Sequence, residues 1–174
     1  TSGEISNLKT AAKNLVNRQQ TAEMIANSQS FSKIPLFIGV DEEGGRVARL
    51  GSNPDMGTSQ LPPMQEIGKS GDPKEAYEAG RILGSDLCEL GFNVDFAPDA
   101  DVLVDKKNTE IGDRSFGSDP ELVSDMVSAV VKGLQEFDVS AVLKHFPGHG
   151  STTANSHTGY SESTRTAEEL RACE

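Results

Sequence analysis

The sequence predicts a parallel α/β fold, and two observations carry that prediction. Short, nearly continuous apolar runs at 34–40, 92–97 and 139–143 alternate with long helical stripes, and each run ends in polar residues, at 41–46, 98–105 and 144–157. Strand, helix, strand, helix, strand is the order of parallel pairing. Continuous apolar strands are what a sheet covered on both faces requires. Polar clusters at the carboxyl ends of such strands mark the edge where ligands gather.

Each element has its own warrant. Ile5, Leu8, Ala12 and Leu15 recur at helical spacing and predict a helix running on to about Ala26, before Pro35 introduces the first strand. Residues 51–63, with their Pro, Gly, Ser and Asn, form the longest loop, placed to cover the rim. Asp72 supplies an N-cap, Pro73 a first-turn proline and Glu75 an acidic start. Ala76, Ala79, Leu83, Leu87 and Leu90 then make one stripe that stops at Gly91, a C-cap residue. Asp119 and Pro120 repeat that opening, with Leu122, Met126, Val130 and Leu134 turned inward. Thr166 and Glu169 have capping-box spacing and announce one more helix.

Composition narrows the function. A net charge of −11 and a pI near 4.7 argue against nucleic acid and against an anionic membrane face, and suit neutral or small polar ligands. No run approaches the roughly 20 apolar residues that span a bilayer, and no signal-peptide pattern opens at Thr1. Both the cytoplasm and a secreted or cell-surface location are left open. Cys88, read on the apolar side of its helix, and Cys173 make no disulfide framework. The 174 residues suffice for one domain with a core but fall short of the roughly 250 typical of an eight-fold β/α barrel. The expectation from length is one domain over 1–174, whose exposed strand edges would permit self-association.

The richest stretch is Lys144-His145-Phe146-Pro147-Gly148-His149-Gly150, directly after the third strand. Followed by Asn155-Ser156-His157, it resembles the signature of glycoside hydrolase family 3, in its bacterial β-N-acetylglucosaminidase branch. Ile38-Gly39-Val40-Asp41-Glu42-Glu43-Gly44-Gly45-Arg46-Val47 resembles the family's early strand and loop, and Ile111-Gly112-Asp113-Arg114-Ser115-Phe116-Gly117 its mid-barrel loop. The three lie in the family's order across 34–157. The resemblance implies that 1–174 is part of a single N-terminal barrel domain truncated at both ends, a partial (β/α)8 TIM-type barrel, from a retaining exo-glycosidase acting on terminal β-linked N-acetylglucosamine, as in cell-wall turnover. It implies no cofactor. A β-glucosidase of the same family, a non-catalytic sugar-binding protein and a zinc hydrolase are the rivals.

Residue by residue, the resemblance makes Asp41, Arg49, Arg114, Lys144 and His145 sugar ligands. The residues alone leave alternatives: Asp41 or Glu42 as a cap or solvated acid, Arg49 as a surface cation, Arg114 in a surface ion pair with Asp113. For Lys144 and His145, a charge at the end of a buried strand is costly if idle. The resemblance makes His157 the general acid/base, a task that an imidazole titrating near 6.5 can perform. The branch pairs that histidine with an aspartate two residues before. Here the position is Asn155, whose oxygen can orient the ring without supplying charge. The nucleophile is implied beyond Glu174, so residues 1–174 alone are expected not to turn over. Asp99 and Asp101 are read as capping or solvated, without catalysis. His145, His149 and His157 could supply three metal ligands, but Pro147 and Gly148 break a helical pair and no glutamate intervenes, so no metal is assigned. His149 is read as structural, bonding nearby backbone.

Overall fold

The computed structural model describes residues 14–152 and 159–173. In chain order it contains α1 (Arg18–Ser30), β1 (Gly39–Val40), β2 (Glu42–Gly44), β3 (Val47–Ala48), α2 (Met64–Gly68), α3 (Pro73–Leu90), β4 (Val94–Asp95), α4 (Pro120–Gln135), β5 (Ser140–Ala141) and α5 (Ala167–Arg171), with 3-10 turns at Pro54–Met56 and Gly112–Arg114. The strands β1, β4 and β5 form one parallel sheet in that order. Gly39 pairs with Val94 and Val94 with Ser140, while Val40 pairs with Asp95 and Asp95 with Ala141. Among the described residues no helix is long and apolar enough to cross a membrane.

Local chemistry sets the two long helices. The Asp72 side chain accepts from the Lys74 N–H ahead of Pro73, and Gly91 closes α3 with φ 93°. Asp119 accepts from the Glu121 N–H in the same way to open α4. Ala76, Ala79, Leu83, Leu87 and Leu90 of α3 are buried, as are Met126, Val130 and Leu134 of α4. Leu122 is only partly buried and Val123 takes its place in the core. The seam between the helices is backbone on backbone: a Cβ on Gly80 would lie 2.3 Å from the Val130 carbonyl oxygen. Val40 and Val139 join these helices in one apolar cluster.

Four expectations are corrected. Ile5, Leu8 and Ala12 lie outside the described residues; Leu15 is not helical, since Asn17 accepts from the Gln20 N–H and so fixes the start of α1 at Arg18, and the helix continues past Ala26 to Ser30. The strands are shorter than their apolar runs. At the start of the sheet the Asn93 side chain bonds the Ile38 N–H and the Leu36 carbonyl, replacing a ladder rung. Cys88 is exposed, one step of about 100° around α3 from the buried Leu87. The segment 51–63 carries a 3-10 turn and is anchored on helices: Met56 is fully buried, Arg18 reaches its carbonyl, and the Ser59 N–H bonds Asp86. The capping box at Thr166 and Glu169 is present as read.

The short hairpin of β2 and β3 was not expected. Its turn needs Gly44 at φ 98° and Gly45 at φ 53°, a region costly for residues with a Cβ. The hairpin folds the acidic segment after β1 back over the strand ends.

Candidate active site

The carboxyl ends of β1, β4 and β5 bring acids and cations together. Asp41 follows β1, and Glu43 lies in β2. Asp99 and Asp101 follow β4, where an isolated parallel bridge pairs Asp99 with Lys144 and the Ala100 N–H bonds the Lys144 carbonyl at 2.8 Å. That bridge continues the sheet by one rung and sets Lys144 and His145 beside the β4 loop. The peptide bonds Ala97-Pro98, Lys144-His145 and Phe146-Pro147 are cis. Arg114 arrives from the 3-10 turn Gly112–Arg114.

These side chains form one row of alternating charge. Lys144 Nζ lies 2.7 Å from Asp41 Oδ1 and 2.5 Å from Glu43 Oε1. Glu43 also accepts two parallel bonds of 2.9 Å from Arg114 Nε and Nη2. Arg114 Nη2 is 3.1 Å from His145 Nε2, and His145 Nδ1 is 2.5 Å from Asp101 Oδ2. Burial differs sharply between members of the row. The Asp41 side chain is 41 % exposed and that of His145 34 %, whereas Glu43 and Asp101 are each at 1 %. The open groups therefore face solvent and the closed acids hold them from beneath. A cleft of about 280 Å³ lies along 143–148, Ala100 and Asp101.

The sugar ligands implied by resemblance are largely brought together: Asp41, Arg114, Lys144 and His145 share the row. Arg49 is exposed, and its side chain has no hydrogen bond or ion pair among the described residues. Its N–H bonds the Asp41 carbonyl at 3.3 Å, which sets it beside the row. The surface pair of Asp113 with Arg114 does not form; Asp113 pairs with Arg46 at 3.1 Å, and Arg114 turns inward to Glu43. The cap reading fits Glu42, which accepts from the N–H groups of Leu50 and Gly51. Asp99 and Asp101 are not solvated, since both are buried to 2 % exposure or less. His149 is pinned by its backbone, with its N–H on Asp101 Oδ1 and its carbonyl on Asn108, while ring Nδ1 meets the Thr152 hydroxyl at 2.8 Å. His157 and Asn155 lie outside the described residues.

Glu43, Asp99 and Asp101 are the members that the sequence reading missed. Ligand atoms of Asp99, Asp101 and His145 lie within 4.8 Å of one another, as a metal site would require. A cation already sits against them: Arg114 Nε is 3.3 Å from Asp99 Oδ2.

The buried acids titrate unevenly. Burial and the neighbouring Asp101 charge raise Asp99 to about 8, against a lowering by Arg114. For Asp101 burial also raises the carboxyl, but hydrogen bonds from His145, Asp99 and the His149 N–H outweigh it and hold the group below its ordinary range. Asp99 therefore keeps a proton in the folded protein that the unfolded chain, titrating near 3.8, has released. Its contribution to stability is complete below about 3.8 and is lost as pH rises through about 8. An Asp99→Asn variant mimics the protonated form. Urea unfolding at a series of pH values from 5 to about 9 is expected to show a smaller loss of stability in Asp99→Asn than in the parent. Parallel curves would show that Asp99 is already ionised.

The sequence profile of the glycosyl hydrolase family 3 N terminal domain matches residues 2–174. The chain belongs to glycosyl hydrolase family 3. Its parallel α/β arrangement is the TIM-barrel-like one of that family's N-terminal domain. Among family 3 relatives, the chain is 42% identical over 138 residues to the β-hexosaminidase LpqI of Mycobacterium tuberculosis, covering 79% of this chain and 34% of that protein. It is 35% identical over 166 residues to a β-hexosaminidase of Stenotrophomonas maltophilia, covering 92% and 48%. A family 3 β-N-acetylglucosaminidase from a Paenibacillus species superposes with a TM-score of 0.85 at 38% identity, covering 91% of this chain and 30% of that one. NagZ from Neisseria gonorrhoeae superposes with a TM-score of 0.81 at 34% identity, covering 90% and 46%. The chain thus spans half or less of the length of these relatives.

Proposed function

We propose that this chain is part of a retaining exo-glycosidase that releases terminal β-linked N-acetylglucosamine, and that residues 1–174 belong to a single barrel domain continued by further strands. The observation that carries the reading is the row Asp41, Lys144, Glu43, Arg114 and His145 at one rim of the sheet. A sugar hydroxyl both donates and accepts. A rim that alternates acceptor-only carboxylates with donor-only cations can therefore satisfy neighbouring hydroxyls in turn. Asp41, Lys144, Arg114 and His145 are assigned to the sugar, with Arg49 beside Asp41 as a fifth contact. The relatives named β-hexosaminidase and a NagZ structure with N-trifluoroacetyl-D-glucosamine support an acetamido sugar over a plain glucoside.

Retaining hydrolysis needs an acid/base and a nucleophilic carboxylate on opposite faces of the ring. His157 is assigned the first role and Asn155 its orientation. Among the described carboxylates of the rim, Asp41 is paired with Lys144 and assigned to the sugar, Glu43 is spent on two cations, Asp101 on two N–H groups, and Asp99 is buried and proton-bearing. The reading therefore assigns the nucleophile to chain beyond Glu174. Among the described residues β1 and β5 each keep one unpaired edge, which the reading gives to further barrel strands; self-association through them is the alternative.

The test is hydrolysis of a chromogenic β-N-acetylglucosaminide by the complete gene product and by residues 1–174, with a β-glucoside as control. Turnover by the complete product alone, and on the acetamido sugar alone, is expected. Preference for the glucoside, or saturable binding without turnover, would overturn the reading.

A further inference from the structure

The imidazole of His145 sits between two neighbours of opposite hydrogen-bonding character. On one side is the Asp101 carboxylate, 2.5 Å from Nδ1. An ionised carboxylate only accepts, so Nδ1 carries the hydrogen on that side. On the other side is the Arg114 guanidinium, 3.1 Å from Nε2. A guanidinium only donates, so Nε2 is bare. Two independent contacts demand the same tautomer.

Asp101 is itself held from several directions. Its second carboxylate oxygen accepts the His149 N–H at 2.5 Å, its own N–H bonds Asp99 Oδ1 at 3.0 Å, and its carbonyl accepts from the Ser115 hydroxyl at 2.6 Å. One carboxylate thus brackets the loop 145–149 at both ends. Next to it the backbone of Gly150 lies on Val102 so closely that a Cβ would fall 1.8 Å from the Val102 carbonyl oxygen. The β4 loop is a rigid bed for the loop after β5.

We propose that Asp101 is a positioning residue of the sugar site, fixing the tautomer and direction of His145 so that Nε2 carries no hydrogen, accepts from Arg114 Nη2 and holds that guanidinium in place at the rim. This rests on the sugar-pocket reading above. Glu43 accepts from Arg114 Nε and Nη2 and the Glu110 carbonyl from Nη1, so Nε2 is the acceptor for the second Nη2 hydrogen, and a hydrogen on Nε2 would set donor against donor and push the guanidinium away. Asparagine cannot do the work of Asp101. Its one oxygen serves either the His145 Nδ1–H or the His149 N–H, and the other donor then meets an NH2 group.

The experiment uses the complete gene product labelled with 15N-histidine at about pH 8, where imidazoles are ordinarily neutral. Signals of His145 are assigned by their loss in His145→Gln. Hydrogen on Nδ1 and none on Nε2 is expected, with hydrogen appearing on Nε2 in Asp101→Asn. For the acetamido substrate, kcat/KM should fall about 10- to 100-fold in Asp101→Asn, in the range typical when the partner that orients a working histidine is lost. Added to His145→Gln, the same substitution should cost less than about two-fold, because the group it acts through is gone. Hydrogen on Nε2 in the parent protein, or an equal loss in both backgrounds, would overturn the proposal. If Asp101→Asn does not fold, the parent spectrum alone decides. Absence of turnover with hydrogen on Nδ1 would sink the glycosidase reading and support the positioning.

Discussion

Glu43→Leu is expected to destabilise the protein by about 3–5 kcal/mol, the cost of removing one partner from a buried ion pair. Glu43 is 1 % exposed at its side chain and bonds Arg114 through both oxygens and Lys144 through one. Leucine fills similar space but leaves the Arg114 guanidinium, 8 % exposed, without its bidentate partner. Lys144 keeps Asp41 at 2.7 Å, so Arg114 bears most of the penalty. The double variant Glu43→Leu with Arg114→Met should recover part of that stability, because it removes the stranded guanidinium, while Asp99 and His145 Nε2 lose their Arg114 contacts. If the rim is the proposed sugar site, the double variant should not bind N-acetylglucosamine. Urea unfolding of the two variants checks the first statement, and titration with N-acetylglucosamine the second. A Glu43→Leu protein as stable as its parent would show that water reaches Arg114.

The second large effect lies far from the rim. A Cβ on Gly133 of α4 would stand 2.4 Å from the Tyr77 carbonyl oxygen and 2.6 Å from the Arg81 nitrogen of α3. Backbone cannot yield as a side-chain tip can, so Gly133→Val must push the helices apart and loosen Leu83, Met126, Val130 and Leu134 together. The expected loss is about 3 kcal/mol or more, at the top of the usual range for overpacking. Helix propensity opposes it, since glycine costs about 1 kcal/mol relative to alanine, but that term is too small to win. Gly117→Ala is the control: its nearest neighbour would be a Leu122 methyl at 3.7 Å, and it should stay within about 0.5 kcal/mol of the parent. Equal effects of the two substitutions on thermal unfolding would refute the close-seam argument.

What could be read from the sequence divides along a physical line. Both long helices were legible at their starts because an aspartate followed by proline caps a helix through contacts within four residues. Strand lengths were not, because a ladder partner is chosen by the whole fold; Asn93 replacing a rung with its side chain has no local signature. The helical stripes were right in period and partly wrong in phase, and Cys88 and Leu122 show what an offset of one residue does. At the rim, Asp41, Arg114, Lys144 and His145 were legible as residues at or near strand ends. Glu43, Asp99 and Asp101 were not, since an acid in a polar loop looks alike whether it is solvated or sealed beneath two cations. Only the folding of the β2–β3 hairpin over the strand ends makes Glu43 a buried acid.

The alternating row has a consequence for salt. Its contacts lie between 2.5 and 3.3 Å and are mostly shielded from solvent, well inside the screening length of about 8 Å at physiological ionic strength. Exposed pairs such as Lys69 with Glu66 will dissolve into the ionic atmosphere as salt rises. The rim carries its own counter-ions. If the rim receives a neutral sugar as proposed, that binding should depend only weakly on salt.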